Sequence, residues 1–561
     1  MPDASQPRPS TAIGIAVLAL AAVTYLHGLG SLHVLGNGDE IIYAQITRAT
    51  AANGHWLPLK SEMSDMVNTK PPLLTWQGLV STDWARNWSL LALRWPSVVW
   101  TFLAAGLAGL IAWKLTDRDV SAGLLAAAIY LAFFSTYRYG RPFLTNPPET
   151  FWMFLCFFLM LWWKPESFAS RFLFPTLLGL SAGVALFAKS FAQLVPIGVG
   201  LAAWHLHEVR RPDGGPDWRR LLTRSLPGLV WTAVLALGVF SLWFVLDPDP
   251  QAIWKEFVVH ENLGKMRDGQ PSYLATLLWG RKSVWGYALS WFFNAGLLAF
   301  PLLGTLLRAW QHRRAAGDAE RLLWIWAAAL FLVFCLPSQR SGRYLLEAMP
   351  GIAAVMAIHW HRLLPSAFVT TIGGAGVILG LVTWLSVLLA RDVGAGVFSP
   401  WHWALLAGAA ALVVLPLVDR RRLSACAVPA ALVAFLVVSS FLTAFDPPRG
   451  AYPAEAIQAA AGRVVWAPQN FRGAAERNSF LLPGATIRPY DISRGRPDPA
   501  TVGPDDLVIV EQPYGAPAPA GAIGSRIELA DRQTLQQLWE MARGRTAEQL
   551  FRRHWLVKDR Q

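Results

Sequence analysis

Apolar runs alternate with short polar segments along the chain from residue 11 to residue 444. A helix needs about 20 predominantly apolar residues to cross the hydrocarbon core of a bilayer, and most of the runs come close to that length. The pattern predicts a mainly α, polytopic membrane protein with thirteen transmembrane helices. The predicted spans are residues 11–29, 90–113, 120–137, 148–163, 172–187, 190–206, 223–246, 283–307, 321–337, 344–362, 367–390, 402–418 and 424–444.

The pattern changes after Phe445, where the chain takes on the mixed composition of a soluble protein. Two short β-like runs and one amphipathic helical pattern follow, at 464–467, 507–512 and 533–553. We therefore divide the chain into a membrane region, 1–445, with a long first loop at 30–89, and a small α/β domain, 446–561.

The loop charges orient the predicted spans, because cytoplasmic loops are enriched in Lys and Arg. Basic residues cluster in loops 207–224, 308–321 and 419–423, which share one side if every span crosses once. This places the N-terminus in the cytoplasm and the C-terminal domain outside. The outer side then receives residues 30–89, 138–147, 188–189, 247–282, 338–343 and 391–401.

Composition supports the membrane interpretation and excludes some alternatives. Hydrophobic residues make up 54% of the chain and charged residues 15%, against about 25% charged residues in soluble domains. The net charge of +13 does not indicate a nucleic-acid partner, because the basic residues occupy short loops. The three cysteines lie in apolar runs, as buried cysteines usually do, so neither a disulfide nor a cysteine metal site is expected.

The first outer loop carries the most distinctive polar residues. Asp39 and Glu40 open an amphipathic segment that is expected to lie along the membrane interface. Lys70, followed by two prolines, is a cation on a stiff extended segment, which suits a phosphate ligand. Two structural alternatives remain open: Asp39 as the N-cap of the interfacial helix, and Lys70 as a lysine that reaches from an apolar surface to water.

These residues belong to an ordered series of short motifs. The series comprises Asp39-Glu40, Tyr43-Ala44, Gly54 and Trp56, Lys70-Pro71-Pro72-Leu73, Arg94 with Pro96-Ser97, FAKS at 187–190, HENLGKMRD at 260–268 and SGRYLLEAMPG at 341–351. It resembles the bacterial GT-C glycosyltransferases of the aminoarabinose-transferase and protein O-mannosyltransferase group. The thirteen spans and the external C-terminal domain are similar to the aminoarabinose transferases in particular.

The resemblance implies an integral enzyme of the bacterial inner membrane with its active site on the periplasmic face. It implies a polyprenyl (undecaprenyl) phosphate sugar donor, a lipid A or lipopolysaccharide, glycan or protein acceptor, and contact with membrane lipids. Asp39 becomes the candidate catalytic acid, with Glu40 supporting it. Ile42 and Thr69 stand where the aminoarabinose transferases tend to have Arg and Glu, so the sugar and the acceptor stay open.

The second outer loop, at 138–147, is expected to add an acid. The family often has Asp near the position of Asn146, and Glu149 lies three residues later. Because residues at i and i+3 share a helix face, Glu149 is predicted to substitute as a catalytic residue. The alternative is that Asn146-Pro-Pro-Glu149 simply begins a helix, since Pro and an early Glu favour a first turn. Arg141 is a candidate ligand for a phosphate or carboxylate.

The remaining candidate substrate contacts come from the first motif and the later outer loops. Tyr43 belongs to the first motif, and His260 and Arg267 lie close together in the loop 247–282; that loop is alternatively a solvated charged surface. Arg340 and Arg343 flank a short outer turn, on the side where positive charge is expected to be sparse. Arg343 is the candidate for phosphate binding.

No metal or cofactor is expected to be required, because the sequence has no CxxC pair and none of its HxH or DxD pairs belongs to a set with convincing metal spacing. A divalent cation between Asp39 and the donor phosphate is left open. The main alternative function is a transporter or flippase of lipid-linked sugars, which would place ionisable residues inside the spans and interrupt paired spans. A third alternative is a non-catalytic envelope scaffold.

Overall fold

The computed structural model describes residues 10–34, 38–62, 66–163, 167–209, 215, 217–263, 273–280, 282–469, 473–530 and 534–558. The α-helices are α1 Thr11–Leu26, α2 Gly38–Asn53, α3 Leu73–Ser81, α4 Leu90–Leu115, α5 Val120–Ala132, α6 Phe134–Gly140, α7 Asn146–Trp162, α8 Phe168–Ala188, α9 Leu194–Glu208, α10 Trp218–Arg220, α11 Leu226–Leu246, α12 Pro250–Ile253, α13 Tyr273–Leu278, α14 Val284–Ala295, α15 Ala299–His312, α16 Asp318–Cys335, α17 Met349–His359, α18 Pro365–Asp392, α19 Pro400–Val418, α20 Leu423–Thr443, α21 Ala454–Ala460, α22 Leu535–Ala542 and α23 Thr546–Leu550. A π-helical segment, Trp254–Leu263, and a 3₁₀ segment, Gly342–Ala348, also contribute to the site.

Each of the thirteen predicted spans falls on one helix or on two or three consecutive helical segments. Within the described ranges, seven helical segments are long and apolar enough to cross a membrane, and the bent pair α5–α6 makes an eighth. This pair turns by 67° at Phe133, whose extended backbone ends α5. The predicted mainly α, polytopic fold is confirmed, although several helices are shorter than a full span.

The chain after residue 445 forms a five-stranded sheet in the order β2-β1-β3-β5-β4. The strands are β1 Val464–Gln469, β2 Thr486–Asp491, β3 Leu507–Pro513, β4 Ala522–Leu529 and β5 Phe551–Lys558. β1 is parallel to β2 and β3, whereas β5 is antiparallel to β3 and β4. Both predicted β-like runs lie in strands. The predicted helical pattern at 533–553 is too long by three residues, because β5 begins at Phe551 and pairs on both edges.

The sheet packs directly on the first outer loop. Leu32, Ala44, Leu90 and Leu93 share one buried core with residues of β1, β3 and β5. Burial of such apolar side chains stabilises the contact by roughly 25 cal/mol per Å² removed from water. The sheet and the outer loop are therefore parts of one packed body.

Two further contacts secure this packing. Arg48 of α2 donates two hydrogen bonds, of 2.6 and 2.7 Å, to the carboxylate of Glu476. Ile42 packs against Gly473, whose φ is +76° and whose missing side chain would lie 3.0 Å from Ile42. Only glycine suits that backbone and that approach. Ile42, which departs from the family motif, is thus part of the interface with the C-terminal domain.

Candidate active site

Glu40 is buried in the first turn of α2 and locks that helix to α4. Its carboxylate accepts hydrogen bonds of 2.6 and 2.7 Å from Nε and Nη2 of Arg94 and one of 2.8 Å from the amide of Phe143. Nη1 of Arg94 donates to the carbonyls of Leu29 and Ser31 at 2.9 and 2.6 Å. Glu40 is 0% exposed and Arg94 is 3% exposed. This geometry gives Glu40 a positioning role and withholds it from substrate contact.

Asp39, one residue earlier, lies on the open side of α2. Its side chain is 38% exposed, and its Oδ2 lies 2.7 Å from Nη1 of Arg343, which is 25% exposed. Nη2 of Arg343 donates to Oδ1 of Asn146 at 2.8 Å, and the guanidinium lies over the ring of Tyr139. Because α2 begins at Gly38, Asp39 lies in its first turn and not at the N-cap. Arg343 therefore joins the first outer loop to the start of α7.

Glu149 contacts Asn146, the second partner of Arg343. It lies in the first turn of α7, is 0% exposed, and its Oε2 lies 2.7 Å from Nζ of Lys189. Gln193 donates to the other carboxylate oxygen, and Nδ2 of Asn146 lies 3.4 Å from Oε2. The predicted catalytic role of Glu149 thus finds no open approach, and the geometry favours a role in holding Asn146 and, through it, Arg343.

A second buried acid faces Lys189. Oε1 of Glu347, in the 3₁₀ segment, lies 4.0 Å from Nζ of Lys189, and Glu347 is 1% exposed. The ammonium also lies 5.3 Å from the ring centroid of Tyr344. The Lys189 ammonium therefore lies between two buried carboxylates and connects three chain segments.

Lys70 provides a second accessible cation. Its ammonium pairs with the carboxylate of Glu261 and donates to the carbonyl of Thr69 at 2.9 Å; Lys70 and Glu261 are each 22% exposed. Pro71 and Pro72 follow immediately, and α3 begins at Leu73. Thr69 stands where the family motif has glutamate, and in this chain Glu261 supplies the negative charge beside the lysine.

Tyr43 lies one helical turn after Asp39, and the pKa of its phenol reflects the charges around the site. Burial raises the pKa of the Tyr43 phenol, and the charge of Asp39 raises it further. Arg343 acts in the opposite direction, and the carboxylates of Glu261 and Glu149 add to the increase. The phenol therefore stays protonated at neutral pH and can donate a hydrogen bond. Charges from four chain segments act at this one hydroxyl.

Two predicted substrate ligands instead anchor the backbone. Arg141 is 4% exposed and donates to the carbonyls of Tyr25 and His27 at 3.0 and 2.6 Å. Arg340 is 7% exposed and donates to the carbonyl of Cys335, at the end of α16, at 2.7 Å. Buried arginines that satisfy carbonyls in this way hold helix ends together. Neither guanidinium is directed to the open site by these contacts.

The two remaining candidates lie at or beyond the end of the π-helical segment. His260 is exposed and precedes Glu261, the partner of Lys70. Arg267 lies outside the described residues. Their predicted contacts with substrate stay predictions.

The sequence has relatives of known name. The family described as dolichyl-phosphate-mannose-protein mannosyltransferase matches residues 33–247. The chain is 27% identical over 421 residues to undecaprenyl phosphate-alpha-4-amino-4-deoxy-L-arabinose arabinosyl transferase 2 of Proteus mirabilis, covering 70% of this chain and 68% of that one. It is 25% identical to the corresponding transferase of Erwinia tasmaniensis, covering 68% of this chain and 64% of that one.

The fold has a solved relative as well. The crystal structure of ArnT from Cupriavidus metallidurans bound to undecaprenyl phosphate superimposes with a TM-score of 0.61 and 17% identity, covering 98% of both chains. The apo form of the same protein gives 0.59 and 19% identity over 86% of each chain. The chain is a membrane glycosyltransferase with the GT-C fold. These comparisons confirm the predicted family resemblance, fold class and enzyme class. A glycosyltransferase is neither of the alternatives, the transporter and the non-catalytic scaffold.

Three residues of the site of this glycosyltransferase were not predicted from the sequence. Lys189, Glu261 and Glu347 each lie within a motif that carried the resemblance, yet none was predicted to act. For Lys189 a signal was present, because a lysine directly follows a long apolar helix on the predicted outer side. For Glu347 none was, since its sequence neighbours are apolar and its partner is 158 positions away.

Proposed function

We propose that this protein transfers a sugar from a polyprenyl-phosphate donor to an acceptor at the periplasmic face of the bacterial inner membrane. The observation that carries the proposal is the open Asp39–Arg343 pair, which lies near the Lys70–Glu261 pair, because the charges of Asp39, Arg343 and Glu261 all act on the Tyr43 phenol. The names of the sequence relatives, which specify undecaprenyl-phosphate-linked aminoarabinose, support the donor class.

In the proposed reaction, Lys70 and Arg343 bind the donor phosphate, exchanging their carboxylate partners for its oxygens. An acceptor hydroxyl oxygen attacks the anomeric carbon of the sugar, and the bond from that carbon to the phosphate oxygen breaks. The bonding electrons leave with polyprenyl phosphate, whose charge the two cations stabilise. Asp39 takes the acceptor proton, because its carboxylate is accessible and already lies beside Arg343.

The buried residues of the site position these groups. Glu40 and Arg94 fix the first turn of α2, and with it Asp39. Asn146, held by Glu149, fixes one edge of the Arg343 guanidinium. This rigid support lets charge stabilisation act without reorganisation during the reaction.

The protein is a multi-pass membrane protein, and we assign its N-terminus to the cytoplasm. His207 and Asp318, from two of the loops predicted to be cytoplasmic, lie 3.3 Å apart, whereas the site joins segments predicted to be periplasmic. Lys60→Cys and Arg314→Cys test this assignment in a cysteine-free background. A membrane-impermeant maleimide added to spheroplasts should label the first variant and leave the second unlabelled.

The acceptor class is lipid A or lipopolysaccharide, another glycan or a protein, and no metal is required for transfer. Within the described ranges, no group of three or more His, Cys, Asp and Glu side chains is placed to hold a metal ion. Transfer should therefore persist after treatment with EDTA. Loss of transfer with EDTA and recovery with Mg²⁺ or Mn²⁺ would instead establish a divalent cation beside Asp39.

Mass spectrometry of envelope glycolipids and glycoproteins, with and without the gene, identifies the sugar and the acceptor together. In purified form, the protein should move label from a polyprenyl-phosphate sugar to that acceptor. Lys70→Gln should abolish transfer, whereas Lys60→Gln, an exposed lysine of the same loop, should retain it. Equal activity of both variants would contradict the assignment of Lys70.

A further inference from the structure

Glu149, Lys189 and Glu347 form a largely buried cluster whose formal charges do not cancel. Nζ of Lys189 lies 2.7 Å from Oε2 of Glu149 and 4.0 Å from Oε1 of Glu347. The two acids are 0% and 1% exposed, and the lysine side chain is 14% exposed. If both acids were ionised, one ammonium would face two carboxylates away from water, and a buried charge without a partner is unfavourable. The cluster therefore lacks one positive charge.

The two carboxyl groups differ in the hydrogen-bond donors around them. Glu149 accepts hydrogen bonds from Lys189 and Gln193, so its ionised form is well satisfied. Both oxygens of Glu347 have no hydrogen-bond partner in the described part of the chain, although this carboxyl group faces that of Glu149. Two ionised carboxylates cannot bond to each other, because neither has a donor. A proton on Glu347 supplies both the missing donor and the missing positive charge.

The surrounding groups do not replace this proton. Tyr130 of α5 and Tyr287 of α14 face Glu347 from neighbouring helices, and phenols are uncharged at neutral pH. Arg343 lies on the same 3₁₀ segment, but its guanidinium is paired with Asp39. When two carboxyl groups share a site, one of them retains its proton. Because the lysine ammonium lies closer to the other acid, the proton is expected on Glu347.

Glu347 is connected to Arg343 in two ways. Both residues lie in the 3₁₀ segment Gly342–Ala348. Glu149, which faces Glu347, lies 3.4 Å from Nδ2 of Asn146, and Oδ1 of Asn146 accepts a hydrogen bond of 2.8 Å from Arg343. A second ionised acid would compete with Glu149 for the single ammonium of the cluster. Loss of the proton therefore disturbs both connections to the Arg343 guanidinium.

We propose that Glu149 and Glu347 share one proton at neutral pH, and that protonated Glu347 is a positioning residue through which Arg343 binds the donor phosphate. The role in donor binding rests on the proposed transferase function, whereas the shared proton does not. At alkaline pH the proton leaves to water, and the cluster gains a negative charge. Because like charges repel most strongly where water is excluded, the KM for the donor rises, while kcat changes less.

Infrared spectroscopy of the full-length protein in detergent detects the shared proton, because a protonated carboxyl group has a carbonyl band that a carboxylate lacks. At neutral pH, the difference spectrum between wild type and Glu347→Gln should contain this band. Glu455→Gln, at an exposed position of α21, is the control and should retain it. A difference spectrum without the band would overturn the proposal.

Glu149→Gln gives a second spectroscopic test that does not depend on the folding of the first variant. It removes the facing negative charge, so Glu347 should ionise and pair with Lys189, and the band should again be lost. If the band persisted in Glu149→Gln, the proton would not be shared between the two acids, and the proposal would fail.

The pH dependence of the donor KM tests the positioning role. Lys70 and Arg343 keep their charges from about pH 6 to about pH 9. In wild type, the KM should rise at least about tenfold across this range, the value of one charge-assisted hydrogen bond, at the pH where the band disappears. The KM of Glu347→Gln, which has no proton to lose, should not change with pH, and Glu455→Gln should follow wild type. Parallel profiles for wild type and Glu347→Gln would overturn the positioning role.

The two measurements separate this inference from the proposed function. If wild type transfers no sugar from any polyprenyl-phosphate donor, the transferase proposal fails. The infrared band does not depend on transfer: its loss in Glu347→Gln would still support the shared proton, and its absence from wild type would still overturn it.

Discussion

Asp39 and Glu40 are neighbours in α2, and each carboxylate binds an arginine from a distant segment, but only one of the two pairs is sealed from solvent. Glu40 and Arg94 are buried and bond further to three backbone groups. Asp39 and Arg343 remain 38% and 25% exposed. The chemistry of the two pairs is the same, so burial alone separates a structural pair from one that can exchange its partner for a substrate.

The difference arises from the helix geometry of α2. Successive residues on a helix point about 100° apart, so Glu40 faces α4 and Asp39 faces the 3₁₀ segment. An adjacent acidic pair thus supplies one support and one reactive group. Variants at Glu40 should mainly lower stability, whereas variants at Asp39 should mainly lower activity.

The largest expected effect follows from breaking the buried pair. Glu40→Ala leaves the Arg94 guanidinium buried without its carboxylate, which costs about 3–5 kcal/mol. We expect a large decrease in the melting temperature in detergent and a poor yield of monodisperse protein. Asp39→Ala is the control, and its melting temperature should stay close to that of wild type. Similar melting of both variants would contradict the structural assignment of Glu40.

Asp39→Asn should have the opposite profile. Loss of a general base lowers turnover by roughly 10²–10⁴-fold, whereas loss of a partly exposed ion pair changes stability by about 1 kcal/mol or less. Turnover with a labelled donor and the melting temperature should be measured on the same sample. Asp83→Asn, at an exposed position of the same loop, should leave both unchanged. If Asp39→Asn retains wild-type turnover, Asp39 is not the base.

A more moderate effect is expected from Arg343→Lys. Lysine keeps the charge but cannot bridge Asp39 and Asn146 with two separate nitrogens. We expect kcat/KM to fall by about tenfold, the value of one charge-assisted hydrogen bond. Arg94→Lys provides the comparison, because there the same exchange should lower the melting temperature. If Arg343→Lys lowered stability and left kcat/KM unchanged, Arg343 would be a structural residue and not a substrate ligand.

The smallest expected effect concerns His33 of the first outer loop, whose charge depends on pH. His33 lies 2.8 Å from Asp446 and 3.4 Å from Glu528. Burial opposes its protonation and Arg477 also lowers its pKa, but the two carboxylates raise the pKa of His33 above its ordinary value of 6.5. Its contribution to stability is therefore complete below pH 6.5 and is lost as the pH rises through the raised value.

The melting temperature measured from pH 5.5 to pH 8.5 tests this expectation. Wild type should lose a few degrees more than His33→Gln across that window. Parallel curves for the two proteins would show that His33 does not join the outer loop to the sheet through its charge.

Motif order and loop charge allowed much of the site to be predicted. Asp39, Lys70 and Arg343 were predicted as one outer-face site, and the structure brings the segments that carry them together. The anchoring contacts of Arg141 and Arg340 were not foreseen, because a guanidinium that binds carbonyls leaves no pattern in the sequence. The partners of Glu149 lie 40 and 44 positions away, and no local rule selects them.

The sequence by itself determined the membrane-spanning pattern, the soluble C-terminal part and the common side of the motifs, because hydrophobicity and loop charge act over a few neighbouring residues. Only the tertiary structure decided which acid is buried, which arginine is accessible, and that the C-terminal sheet packs on the outer loop that carries Asp39. Those properties depend on contacts such as Asp39–Arg343, which are 304 positions apart. Burial, and with it the strength and availability of each charge, exists only after the segments have packed.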